Sequence, residues 1–140
     1  MRNYWPQLFF SSLLLAAAIA LACGSPSHIP QSVTVSPATA DAKDFPGGEV
    51  QFTATAVYNT MPSPIQSVSA TWSACLQGVP SENVSISTSG AAQCASGATG
   101  TYTIYAFVPD PSFHGVCASG SLPCGGSCGG VVGNAQLTCP

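Results

Sequence analysis

The chain has 140 residues, of which charged side chains make up 5%, and its formal net charge is −3. Lysine and arginine together number two, so no basic stripe exists to follow a phosphate backbone, and nucleic acid is excluded as a partner. The length suits about one domain, and the hydrophobic fraction of 46%, with its Trp, Tyr and Phe residues, excludes a disordered tail, which needs high charge and few aromatics.

Met1 and Arg2 precede an apolar run from Leu8 to Ala22. A basic start, about fifteen apolar residues and small residues at the cut is the layout of an export signal. The run is shorter than the ~20 residues that cross a bilayer, and no basic stop follows it, so cleavage is expected rather than retention. Ala20-Leu21-Ala22-Cys23 resembles the lipid-attachment box of bacterial lipoproteins, although that box prefers leucine where Ala20 stands. The same residues also satisfy the A-x-A rule of ordinary signal cleavage. Cysteine parity favours lipidation, because removing Cys23 leaves Cys75, Cys94, Cys117, Cys124, Cys128 and Cys139, an even set. The expected organisation is a signal peptide over 1–22, an acylated Cys23 with a flexible tether through 31, and one domain over 32–140. The expected location is the cell envelope, at the outer membrane or cell surface, with the lipid holding the chain to the membrane.

Six strands are expected in the domain. Ser32–Ser36 alternates and stops at Pro37. Glu49–Val57 is the cleanest alternation, with Val50, Phe52, Ala54 and Ala56 on one face and Gln51, Thr53 and Thr55 on the other, a half-buried strand opened by the turn Gly47-Gly48. Val68–Ala74 turns Val68, Ala70, Trp72 and Ala74 inward, and Asn83–Ser87 is short. Thr101–Val108 turns Tyr102, Ile104, Ala106 and Val108 to one face, and Val131–Cys139 ends the chain with Ala135, Leu137 and Cys139 together. Short strands between Gly, Pro, Ser and Asn turns, with no helical period, indicate an all-β sandwich or barrel.

The order Ser32-Val33-Thr34-Val35-Ser36-Pro37, Gly47-Gly48-Glu49-Val50-Gln51-Phe52-Thr53-Ala54-Thr55-Ala56, Ala70-Thr71-Trp72-Ser73 and Gly100–Ala106 resembles the bacterial immunoglobulin-like domains of group 2, the modules of invasin- and intimin-type surface proteins. The resemblance covers about residues 31–138. It implies an Ig-like two-sheet β-sandwich of about seven strands, with Trp72 as the central core tryptophan and a cystine-rich loop before the last strand. The chain departs from that family in its six cysteines. It also lacks an antibody-type bridge, since neither the second expected strand nor the fifth contains cysteine.

His114, Cys117, Cys124 and Cys128 give H-x2-C-x6-C-x3-C, a donor set that zinc accepts. A small metal-binding envelope protein is therefore the alternative reading of the chain. Exported cysteines ordinarily form disulfides, however, and the usual C-x2-C pair is missing. If all six cysteines pair, the odd number in the loop requires at least one bridge from the loop to Cys75, Cys94 or Cys139. Fifteen connectivities remain open, and Cys75 with Cys94 is the expected first pair.

No catalytic constellation stands out. His28 and His114 lack neighbours that make a nucleophile elbow, no glycine loop is followed by lysine and helix, and Asp41, Asp44 and Glu49 read as a solvated acidic turn. No enzyme activity and no cofactor are expected. Tyr105 and Phe107 lie on the outer face by strand parity, opposite Tyr102, and are the candidate binding patch unless the 109–130 loop covers them. The expected role is a surface module for binding or adhesion, or a scaffold, with a protein or a polysaccharide as ligand. The oligomeric state is left open.

Overall fold

The computed structural model describes residues 28–115 and 124–140. Eleven strands are present among them: β1 (Pro30–Ser36), β2 (Thr39–Asp41), β3 (Glu49–Gln51), β4 (Thr53–Tyr58), β5 (Ile65–Gln66), β6 (Thr71–Leu76), β7 (Val79–Pro80), β8 (Val84–Ile86), β9 (Ala91–Cys94), β10 (Gly100–Pro109) and β11 (Gly130–Cys139). They form an Ig-like β-sandwich. One layer holds β1-β4-β5 and β3-β9-β8, continuous through the run 49–58. The other is the five-stranded sheet β2-β11-β10-β6-β7. The cystine-rich loop precedes β11.

The period-two faces read from the sequence are the buried faces. Val50, Phe52, Ala54 and Ala56 come from the first layer, and Tyr102, Ile104, Ala106, Ala135 and Leu137 from the second. Register puts Tyr102 opposite Leu137 and Ile104 opposite Ala135, so β10 and β11 present one apolar surface. A buried side chain such as Phe52, Ile104 or Leu137 contributes roughly 1.5–3 kcal/mol. Tyr102 also uses its polar end. Its hydroxyl donates to the Thr99 carbonyl (3.3 Å) and accepts from Asn83 Nδ2 (3.3 Å). A tyrosine at the start of this strand, bonded to backbone just upstream, is a hallmark of immunoglobulin-like sandwiches.

The first strand changes layers. β1 pairs antiparallel with β4, the chain turns at Ser36-Pro37-Ala38, and β2 pairs parallel with β11. β1 crosses so close to β11 that a Cβ on Gly133 would fall 2.6 Å from the Val33 carbonyl oxygen. The described chain begins at one end of the sandwich, hereafter the proximal pole, with the β4–β5 loop and the residues after β10. The distal pole carries the β2–β3 loop, the β6–β7 turn, the β9–β10 turn and Pro140.

Three expectations change. The tether does not extend to residue 31, because strand pairing begins at Pro30 and His28 is already fixed to the domain. Its ring stacks on Tyr58 (centroids 3.9 Å apart, 17° between planes) and its Nδ1 hydrogen-bonds Thr60 Oγ1 at 2.8 Å. The expected strand Glu49–Val57 divides at Phe52 into β3 and β4. β2, β5, β7 and β9 were not anticipated, since each is two to four residues long and too short to show a period.

Candidate functional site

The division at Phe52 creates the most site-like feature of the molecule. The Phe52 N–H donates to the Gly90 carbonyl, while the Ala54 carbonyl accepts from the Val68 N–H. Alternate residues of a strand point their backbone groups to the same edge, so two segments share one edge of the 49–58 run, end to end: β9 with its preceding turn, then β5 with residues 67–68. The junction between them is a notch. Gln51 closes its upper side, donating from Nε2 to the Phe52 carbonyl (2.8 Å) and the Ser89 carbonyl (2.7 Å).

The notch opens into a cleft of about 460 Å³ lined by Trp72, Gln51, Ser67, Ser69, Thr88 and Ser89, with no charged side chain in its wall. Trp72 is not enclosed between the sheets as the resemblance implied. It packs against the edge of the core and is half-buried. Gly90 makes room for it, since a Cβ there would lie 2.9 Å from Trp72 Cζ2 and 2.4 Å from the Phe52 carbonyl oxygen. Gly90 also has φ +87°, a conformation that glycine adopts freely.

Among the described residues two non-glycines have positive φ, Ser67 (53°) and Gln77 (51°). Gln77 is explained by its turn: Leu76 pairs with Val79, and a two-residue hairpin of the I′ type needs positive φ at both central positions. Ser67 has no such hairpin and sits on the cleft wall. Strained backbone of this kind concentrates at ligand sites. An indole, an amide and several hydroxyls, with no ion among them, suit a neutral ligand that has both an apolar face and many hydroxyl groups.

The sequence-predicted positions are distributed as follows. Cys23 and Cys117 lie outside the described residues. Cys75 bonds to Cys124 and Cys94 to Cys139, and Cys128 is also disulfide-bonded. The expected Cys75–Cys94 pair is therefore incorrect, and strand parity explains why. Ala74 belongs to the core, so its neighbour Cys75 points to the outer face of its sheet, whereas Cys94 packs against the core from the opposite sheet. A bond between them would have to pass through a β-sheet. Cys94 instead meets Cys139 between the layers, and Cys75 receives Cys124 from the loop, the loop-to-sandwich bridge that parity required.

That second bridge decides the fate of Tyr105 and Phe107. Phe107 stands on the outer face yet is only 9% exposed, and Tyr105 is half-buried. The glycines of the stapled loop lie on both rings. A Cβ on Gly125 would be 3.3 Å from the Tyr105 ring, and one on Gly130 would be 2.7 Å from the Phe107 ring. The pair is the floor beneath the loop and not an open patch. His114 is exposed, and among the described residues no group of three His, Cys, Asp or Glu is placed to hold a metal. Cys124 and Cys128, oxidised in disulfides, offer no thiolate to the H-x2-C-x6-C-x3-C set. In the acidic turn, Asp41 pairs with Lys43 at 2.8 Å, the single ion pair among the described residues. No signal in the sequence marked the Trp72 cleft, because it arises where two remote segments abut. No protein-family model matches the chain, and no curated protein matches it.

Proposed function

We propose that this chain is an exported, lipid-anchored, non-catalytic module of the group 2 bacterial Ig-like type, which displays at the cell envelope a cleft for a neutral saccharide. The observation that carries the reading is the uncharged cleft at Trp72, with its hydroxyl-rich wall and the left-handed Ser67. A pyranose ring has an apolar face to lay on an indole and equatorial hydroxyls to exchange hydrogen bonds with serine, threonine and glutamine. The cleft volume lies within the few hundred Å³ of small-ligand sites. Export is supported by the disulfides, which persist in oxidising compartments, and by the leader-like segment before Cys23. The Ig-like type is supported by the strand order and by the Tyr102 corner.

Trp72 is the only tryptophan after Trp5, so the mature protein reports on this cleft through its own fluorescence. Neutral oligosaccharides are expected to shift or quench its emission saturably, and Trp72→Leu is expected to abolish binding measured by calorimetry while keeping the far-ultraviolet spectrum. Unchanged emission across a panel of neutral glycans at millimolar concentration would exclude the saccharide.

A further inference from the structure

We propose that the proximal pole of the sandwich sits directly on the lipid surface, with Met61 and Phe113 at the headgroups and the charged pole turned away. This rests on the reading of Cys23 as the lipidated residue. His28, the first described residue, is fixed to the domain. Five Cα steps separate it from Cys23, and n residues of extended chain reach at most ~3.3–3.6 Å × n, here about 17 Å. The attachment is firm beyond His28 as well. The Ile29 N–H donates to Asn59 Oδ1 (2.8 Å) and the Asn59 N–H donates to the Ile29 carbonyl (3.0 Å). Cys23 therefore lies within that reach of residues 58–60, and Met61 is the next residue of that loop.

The chemistry of the two poles differs. After Cys23 the chain has six charged side chains: Asp41, Lys43, Asp44, Glu49, Glu82 and Asp110. The first four lie in or beside the β2–β3 loop, and Glu82 follows β7, so five are distal. The proximal pole has Asp110 alone, and its Oδ1 accepts from the Ser112 N–H (2.8 Å) and hydroxyl (2.6 Å) at the surface. Met61 is 81% exposed and Phe113 43%, with Pro62, Pro64 and Pro111 exposed beside them. Phe45 and Val79 are also exposed, but they stand at the distal pole among the carboxylates. Apolar side chains gain by entering the headgroup boundary, whereas carboxylates are repelled by an anionic leaflet. Both terms favour the same orientation.

Two single-site probes exist in the mature chain, because Met61 is the only methionine after Met1 and Lys43 the only lysine. The lipidated mature protein, with ¹³C-methyl methionine and a ¹³C-dimethylated Lys43, is placed in phosphatidylcholine–phosphatidylglycerol vesicles doped with a headgroup-nitroxide lipid. A ten-residue strand rising ~3.3 Å per residue separates the poles by about 30 Å, and paramagnetic relaxation falls with the sixth power of distance. The expected relaxation enhancement at Met61 exceeds that at Lys43 at least tenfold. Phe113→Ser is expected to reduce the Met61 enhancement several-fold and leave Lys43 unchanged. Equal enhancement at the two sites, none at either, or a change at Met61 that follows protein concentration instead of nitroxide (a second copy on this face) overturns the proposal. Intact mass separates the two failures. Acylated protein without the Met61 effect defeats the seating alone, and an unacylated Cys23 removes the anchor and the seating together.

Discussion

Single positions carry much of the constraint on the cleft. Gly90→Ala places a methyl group 2.4 Å from the Phe52 carbonyl oxygen and 2.9 Å from the indole, at φ +87°. We expect a loss of about 2 kcal/mol or more in urea unfolding, with a shift in Trp72 emission. Tyr102→Phe removes a hydroxyl that serves Thr99 and Asn83, and is expected to lower stability by ~1–2 kcal/mol in the same measurement. Asp41 is held below its ordinary pKa, first by the side-chain hydrogen bond from Lys43 and then by the Lys43 backbone N–H. Lys43 is raised in return by Asp41. A depressed carboxyl contributes stability above its unfolded pKa and loses it as pH falls through the folded value. Both groups are exposed to solvent, so the stability effect is small. A carbon-detected titration is expected to place the Asp41 midpoint below that of an ordinary aspartate, and Lys43→Ala to raise it only part of the way back, because the backbone N–H of residue 43 still donates to the carboxylate.

The disulfides act on whole elements. Cys94–Cys139 joins β9 to the end of β11 across the layers, closing a separation of 45 residues, and Cys75–Cys124 closes 49. In the chain-entropy account, loops of that size contribute roughly 4 kcal/mol each. Replacing Cys94 and Cys139 together by alanine is expected to lower the urea midpoint with little change in the exposure of outer-face aromatics. Replacing Cys75 and Cys124 is expected to free the loop, uncover Tyr105 and Phe107, and increase binding of a hydrophobic dye. Equal dye binding by both double variants would contradict the covering role of the loop. These elements also mark how far sequence reading reaches. Alternation over 49–58 and 100–109 is long enough to fix which side chains enter the core, so Val50, Phe52, Tyr102 and Ile104 were legible. β9 reads Ala-Ala-Gln-Cys, with no branched or aromatic residue to announce a strand. The break at Phe52 has no local signal, because it records a change of partner on the strand's edge, a tertiary event. Cysteine pairing depends on the side of a sheet each thiol faces. Cys75 had its face written in the parity of Trp72 and Ala74, but Cys94 lay on an unrecognised strand.

At the scale of the whole molecule, the path of the chain has a mechanical consequence. β1 leaves the proximal pole and β11 ends at the distal one, and each lies lengthwise against its neighbours. Tension between the two poles would load those ladders in shear, so that many hydrogen bonds must rupture together and not one after another. The two cystines then limit what rupture can release. Once Cys75 is linked to Cys124 and Cys94 to Cys139, the covalent route from base to tip skips more than forty residues. Stretched at ~3.3–3.6 Å per residue, the oxidised chain yields roughly half the length of the reduced one. In a force-extension experiment such a domain would give way late and lengthen little, the behaviour of a stiff strut with a built-in stop.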